Sequence, residues 1–175
     1  MQAQTFYKVV TQDKSDLFGR IFAFLDTHQV DYCVIGSHAV NAYVAPVVSL
    51  DLDIAIDVDP SQEADSLLES LFDVTHSPHR LDISAANSKL QIHIHTHSRY
   101  MPFIARAKSH AVLGMQLRVA SLQDVLQERI WAAQDPMRRG SKRRQVLMDI
   151  ARIIEAYPRL RAKVPDDILR LIAMR

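Results

Sequence analysis

Residues 31–58 read DYCVIGSHAVNAYVAPVVSLDLDIAIDV, and this stretch decides the fold. From Leu50 to Val58 the alternation is unbroken. Leu50, Leu52, Ile54, Ile56 and Val58 fall on one face, and Asp51, Asp53, Ala55 and Asp57 fall on the other, with Asp59 following in phase. A period of two over this length predicts a half-buried strand. Upstream, Asp31 to Gly36 is a short apolar run closed by glycine, which predicts a buried strand. Ser37 to Val44 then predicts a short helix that stops before Pro46, because the residue preceding a proline is pushed out of the helical region. The order is strand, Gly-Ser turn, helix, strand.

Two features of this stretch bear on chemistry. Asp51 and Asp53 share a strand face, and two like charges so close are unfavourable unless they are solvated, protonated or bridged by a cation. A hard ion such as Mg²⁺ takes one or two carboxylates and completes its shell with water and phosphate oxygens. The plain alternative is the solvated face of a strand. Gly36-Ser37 sits where a strand turns into a helix, so that backbone N–H groups and a hydroxyl meet at a positive helix end, an arrangement that holds phosphate. An isolated Gly-Ser is most simply a capped turn.

Working outward, residues 14–29 place Leu17, Ile21, Phe24 and Leu25 at helical spacing, with Ser15 or Asp16 as the cap. Asp59-Pro60 predicts a helix start that Leu67, Leu68 and Leu71 carry to about Phe72. Strands are expected near 72–75 and 80–84. Lys89 to His97 (KLQIHIHTH) alternates again, with Leu90, Ile92 and Ile94 opposing Gln91, His93, His95 and His97. The outer two of these three histidines are about 13 Å apart along an extended strand, too far for one ion without ligands from other elements. His95 and His97 therefore read as a partly solvated strand face. A short helix near 102–109 and a strand near 116–120 follow. Ser121-Leu-Gln-Asp124 is a capping-box-like start for a helix to about Gln134, and helices are expected over 141–157 and from Asp166 onward. Strands mixed with helices, then helices, give an α/β (α+β) protein: a core over 1–120 and a helical segment over 121–175 packed on it.

Composition sets the outer limits. The 175 residues suit one domain with a real core, and 48% hydrophobic content excludes wholesale disorder. A single cysteine, Cys33, excludes an internal disulfide and a Cys-rich zinc module. No apolar run approaches the roughly 18 residues of a membrane span, and the N-terminus lacks the pattern of a signal peptide, so a soluble cytoplasmic protein is expected. The net charge of +1 hides an asymmetry: residues 1–100 carry 6 Lys/Arg against 13 Asp/Glu, and residues 101–175 carry 15 against 7. Part of the basic excess is the run Arg138-Arg-Gly-Ser-Lys142-Arg-Arg144, suited to an anionic acceptor such as RNA or to a solvated loop facing the acidic half.

The pair VIGSHAVNAY and SLDLDIAID resembles the nucleotidyltransferase superfamily with the DNA polymerase beta-like fold, in particular its small bacterial nucleotidyltransferase-like proteins. The stretch from Val119 to Pro158 looks like the helical segment of the same proteins, so the resemblance spans roughly residues 14–157. It implies a mixed sheet flanked by helices with a C-terminal helical segment. It also implies transfer of a nucleoside monophosphate from an NTP to a protein, RNA or small-molecule hydroxyl. Gly36 and Ser37 would hold the nucleotide phosphates, Asp51 and Asp53 would bind Mg²⁺ or Mn²⁺, and Arg129 and Lys142 would neutralise phosphate charge. Active members usually add a third carboxylate on the next central strand. Here that strand is KLQIHIHTH, which offers Gln91 and His93, so His93 is the candidate for a metal ligand or base. The family's lysine in the helix after the sheet is replaced by Arg129, and the Lys-Asp pair of the last large helix by Gln145-Val146, with Asp149 one turn on. These departures also suit a catalytically lapsed member that binds nucleotide or a protein partner, as in a toxin–antitoxin pair.

Overall fold

The computed structural model describes residues 3–57 and 62–174. Seven strands form one mixed sheet: β1 (Tyr32–Ile35), β2 (Asp51–Ile56), β3 (Asp73–Ser77), β4 (Arg80–Ser84), β5 (Gln91–His95), β6 (Lys108–Val112) and β7 (Met115–Val119), in the spatial order β3-β4-β5-β2-β1-β7-β6. β2 runs antiparallel to β1 and parallel to β5, and β5 runs antiparallel to β4. The helices are α1 (Ala3–Thr11), α2 (Leu17–Thr27), α3 (Gly36–Val40), α4 (Gln62–Leu71), α5 (Met101–Arg106), α6 (Leu122–Gln134), α7 (Gly140–Ala156) and α8 (Asp166–Ala173), with short 3₁₀ turns at Ser98–Tyr100 and Pro158–Lys163. No helix among the described residues is long and apolar enough to cross a membrane.

The register explains where the site lies. Leu52 pairs with Ile92 and Ile54 with Ile94 across β2 and β5, while Ile92 pairs with Ile83 and Ile94 with Leu81 across β5 and β4. These six side chains are buried and form a continuous apolar face. Because successive side chains alternate, the opposite face of the same three strands must collect Asp51, Asp53, His93, His95, Arg80 and Asp82. Asp53, His93 and Asp82 stand in one row across the sheet. α7 reaches this polar end of the sheet, where Lys142 pairs with Asp51 and Arg152 bonds Asn41 just after α3.

Cys33 lies in the interior of β1, opposite Ala55 of β2, with no solvent exposure, and burial pushes its thiol pKa up to about 12. Ser121 caps α6 as expected, its hydroxyl accepting the Asp124 N–H at 3.2 Å. At α2 the cap is Asp13 rather than Ser15 or Asp16: its carboxylate accepts the Leu17 and Phe18 N–H groups at 3.0 and 3.3 Å. α1 was not expected from the sequence. Its Tyr7 hydroxyl donates to the Ser49 carbonyl at 2.9 Å, which fixes the chain just before β2. The helix expected over 102–109 ends at Arg106, and β6 takes the remainder, turning at Leu113-Gly114 into β7. Gly114 has φ +81°, a conformation glycine adopts without strain. The helix start expected at Asp59-Pro60 lies outside the described residues.

Candidate active site

β1 delivers Gly36 and β2 delivers the acid pair, so the Gly-Ser turn and the aspartates meet at one edge. Ile35 pairs with Asp53 across the two strands. Gly36 has φ +71°, and a Cβ placed there would lie 2.5 Å from Asp53 Oδ2. Only glycine allows the turn to approach the carboxylate this closely. α3 is a single turn of five residues, so the helix end behind Ser37 is shorter than the sequence suggests. The Ser37 side chain is buried, its hydroxyl donates to Asp149 Oδ2 at 2.7 Å, and it accepts from Gln145 Nε2 at 3.4 Å.

The repulsion between Asp51 and Asp53 is relieved by side-chain partners within the chain itself. Asp51 is ion-paired with Lys142 and lies 3.6 Å from His93 Nε2. Asp53 Oδ1 is bonded to His95 Nε2 at 2.9 Å. Each aspartate thus meets the imidazole two residues further along β5 than its direct neighbour. The His93 and Lys142 bonds hold Asp51 below the ordinary carboxylate pKa; for Asp53 burial works the other way, but His95 and the neighbouring cations outweigh it and lower the pKa. His95 is therefore a partner of the acid pair, on a strand face that is partly solvated as expected. His97 instead caps the next turn, its Nδ1 accepting the Arg99 N–H at 3.1 Å.

His93 is the hub. Its Nδ1 lies 2.6 Å from Asp82 Oδ1, and Arg80 holds the other Asp82 oxygen at 2.8 Å. Burial disfavours its charge, but Asp51, Asp53 and Asp82 together raise its pKa to about 9, so it stands as an imidazolium near neutral pH. Asp82 was missed in the sequence because it needs the β4–β5 register to come near the site. A third carboxylate is thus present, one strand further out than the resemblance places it, and it acts on Asp51 through an imidazole.

Behind Ser37 lies a buried charge network. Arg129 bonds both Glu128 oxygens at 2.6 and 2.8 Å and Asp149 Oδ2 at 3.4 Å, and Arg152 holds Asp149 Oδ1 at 2.9 Å. The carboxylates outweigh burial and raise the Arg129 pKa further. Arg129, expected at the nucleotide, is buried with its N–H groups facing these acids, whereas Lys142 is half-exposed at Asp51.

Asp51 and Asp53 are hard oxygen donors on one face, with side chains 20% and 19% exposed, a donor set suited to Mg²⁺ or Mn²⁺. Among the described residues no group of three or more His, Cys, Asp or Glu side chains forms a ready-made cage. Asp53 and His95 open onto a cleft of about 880 Å³ between the β3–β4 hairpin and α6.

No family model and no curated protein matches the sequence. Solved structures do match the architecture. The chain superposes on the lincosamide antibiotic adenylyltransferase LnuA with a TM-score of 0.56 at 13% identity, over 82% of this chain and 97% of that one. On the antibiotic-resistance factor ANT(2'')-Ia the TM-score is 0.53 at 12% identity, over 84% and 90%. The chain has the nucleotidyltransferase fold. An antigenic nucleotidyltransferase-like protein from Paracoccidioides brasiliensis matches as well, with a TM-score of 0.51 at 16% identity over 88% and 76% of the two chains. At these identities the likeness speaks for the nucleotidyltransferase fold, and the chemistry has to be argued from the side chains.

Proposed function

We propose that the protein transfers a nucleoside monophosphate from an NTP to a hydroxyl acceptor. The observation that carries this reading is the contact between Gly36 and Asp53, which sets a turn free of side chain against the acid pair at the edge of a cleft. A structure of ANT(2'')-Ia holds adenylyl-2''-tobramycin, and LnuA is an adenylyltransferase, which supports the same reaction class. The acceptor oxygen forms a bond to the α-phosphorus, the bond to pyrophosphate breaks with its electrons, and the hydroxyl proton leaves to solvent. A divalent ion held by Asp51 and Asp53 would neutralise the triphosphate and the departing pyrophosphate. Lys142 moves from Asp51 to a phosphate oxygen, a short swing for a half-exposed side chain. His93, fixed by Asp82, supplies positive charge beside the acid pair. Gly36 and Ser37 face the nucleotide phosphates, and RNA, protein or a small molecule supplies the hydroxyl.

A second reading is favoured by the pairing of both aspartates with other side chains of the chain and of Ser37 with Asp149. In that reading the fold is a nucleotide- or partner-binding module, as in a toxin–antitoxin pair. Calorimetric titration of the four NTPs with Mg²⁺, on wild type and on the Asp51→Asn/Asp53→Asn variant, separates the two. Binding that requires Mg²⁺ and is lost in the variant supports transfer. Binding indifferent to both metal and variant, or no binding at all, overturns it in favour of the module.

A further inference from the structure

The cleft beside Asp53 offers guanidinium donors that the chain leaves unpaired. Several acceptors on its walls are already taken. Both Glu128 oxygens take Arg129 N–H groups, Asp53 Oδ1 takes His95, and Asp135 Oδ1 takes the Met137 N–H at 3.0 Å. The donors are not. The Arg99 guanidinium lies 4.8 Å from the Trp131 ring centroid and 5.0 Å from that of Tyr100, and of its N–H groups only Nη2 finds an acceptor, the Tyr100 hydroxyl at 3.0 Å. Trp131 is stacked in turn on Phe103, with 5.5 Å between centroids and 4° between planes, so Arg99 rests on a rigid aromatic platform. The Arg138 side chain, in the loop between α6 and α7, has no acceptor or ion-pair partner among the described residues, and its Nε is a buried atom left without a hydrogen bond. A buried N–H with no acceptor is costly, and the Nη groups of the same guanidinium are left free for a ligand oxygen.

We propose that this cleft binds the acceptor substrate and that the acceptor carries a phosphate, held by Arg99 and Arg138. The inference rests on the transfer reading above and names the class of its acceptor. Two guanidinium groups from separate elements line one space, and the planar fork of arginine matches phosphate oxygens in pairs. Ring stacking fixes Arg99 before the ligand arrives, so little side-chain freedom is lost on binding. The volume suits a sugar phosphate or nucleotide rather than an inorganic ion alone. The Arg99 and Arg138 side of the cleft opposes a polycationic aminoglycoside such as tobramycin, since two guanidinium groups would face its ammonium groups.

The test uses ribose 5-phosphate as probe, with ribose and tobramycin as uncharged and cationic controls, titrated calorimetrically into the full chain at low ionic strength. Ribose 5-phosphate should bind and the two controls should not. Arg99→Gln and Arg138→Gln should each weaken it by about tenfold or more, and Arg99→Lys should restore part of the loss. Matching melting temperatures show that the variants are folded. The proposal is overturned if wild type ignores ribose 5-phosphate, if tobramycin binds as well, or if neither arginine variant changes the affinity. Arginine-dependent ribose 5-phosphate binding in a protein that ignores Mg²⁺–NTP supports the anion site and overturns the transfer reading alone.

Discussion

Replacing Gly36 by alanine perturbs the site by one carbon atom. The new Cβ would sit 2.5 Å from Asp53 Oδ2 and 3.0 Å from its Cβ and Cγ, on a backbone at φ +71°. Holding alanine in the left-handed region costs about 1–2 kcal/mol. Relieving the clash turns the Asp53 carboxylate and gives up its bond from His95, and a hydrogen bond to a charged group contributes about 1.5–3 kcal/mol. Asp53 is a fifth exposed, so the lower part of that range applies, and the expected loss is about 2–4 kcal/mol. Gly114→Ala provides the control: φ is +81° there, but the nearest atoms lie 3.9 Å from the added carbon, so only the backbone cost of about 1–2 kcal/mol remains. Urea denaturation of both variants at neutral pH measures the difference, provided the slopes with urea stay equal. Gly36→Ala should also lose Mg²⁺–NTP binding while Gly114→Ala keeps it. Equal stability losses together with intact nucleotide binding in Gly36→Ala would refute the close-approach argument.

Three further outcomes follow from the charges. In chelator-treated protein the His93 ring should titrate near pH 9 by NMR, and Asp82→Asn should lower that midpoint; a His93 midpoint at the ordinary 6.5 contradicts the pairing. Because the folded pKa is raised, the stability His93 contributes is complete below about pH 6.5 and is lost as pH climbs through about 9. Arg129→Met strands Glu128 as a buried anion and leaves Asp149 with Arg152 as its cation, and should cost about 3–5 kcal/mol in urea denaturation, with a loss under about 1 kcal/mol speaking against the network. Lys142→Ala removes a half-exposed ion pair and should change stability by less than about 1 kcal/mol while weakening Mg²⁺–NTP binding; unchanged affinity removes Lys142 from the phosphate contacts.

The strands at the centre of the sheet were readable because their signal is local. The alternation at Asp51–Ile56 and again at Gln91–His95 is written in the residues themselves, and the Gly36 turn sits between an apolar run and a proline-stopped helix. β6 was hidden because Lys108–Val112 has only one buried residue, Val112, and thus no apolar period to read. α1 was hidden in a segment read only for targeting signals. The acid pair could be proposed from its spacing, yet its partners could not. That Asp53 meets His95, and that Asp82 reaches His93, depends on a parallel register 40 residues apart in sequence and on an antiparallel one beyond it, and neither leaves a mark on the local pattern. Arg129 shows the converse: its position suggested a phosphate ligand, and only tertiary packing reveals the acids that enclose it.

The seclusion of Cys33 gives the protein a built-in clock for its own opening. A thiol reagent needs both contact with sulfur and its ionised form, and the folded chain withholds both. As this is the one cysteine in the sequence, every labelling event reports an opening of the core around β1, the strand that leads into Gly36 and pairs with the strand of the acid pair. Labelling rates with and without nucleotide would therefore read how firmly a ligand clamps those strands together, with no need to know what the acceptor is.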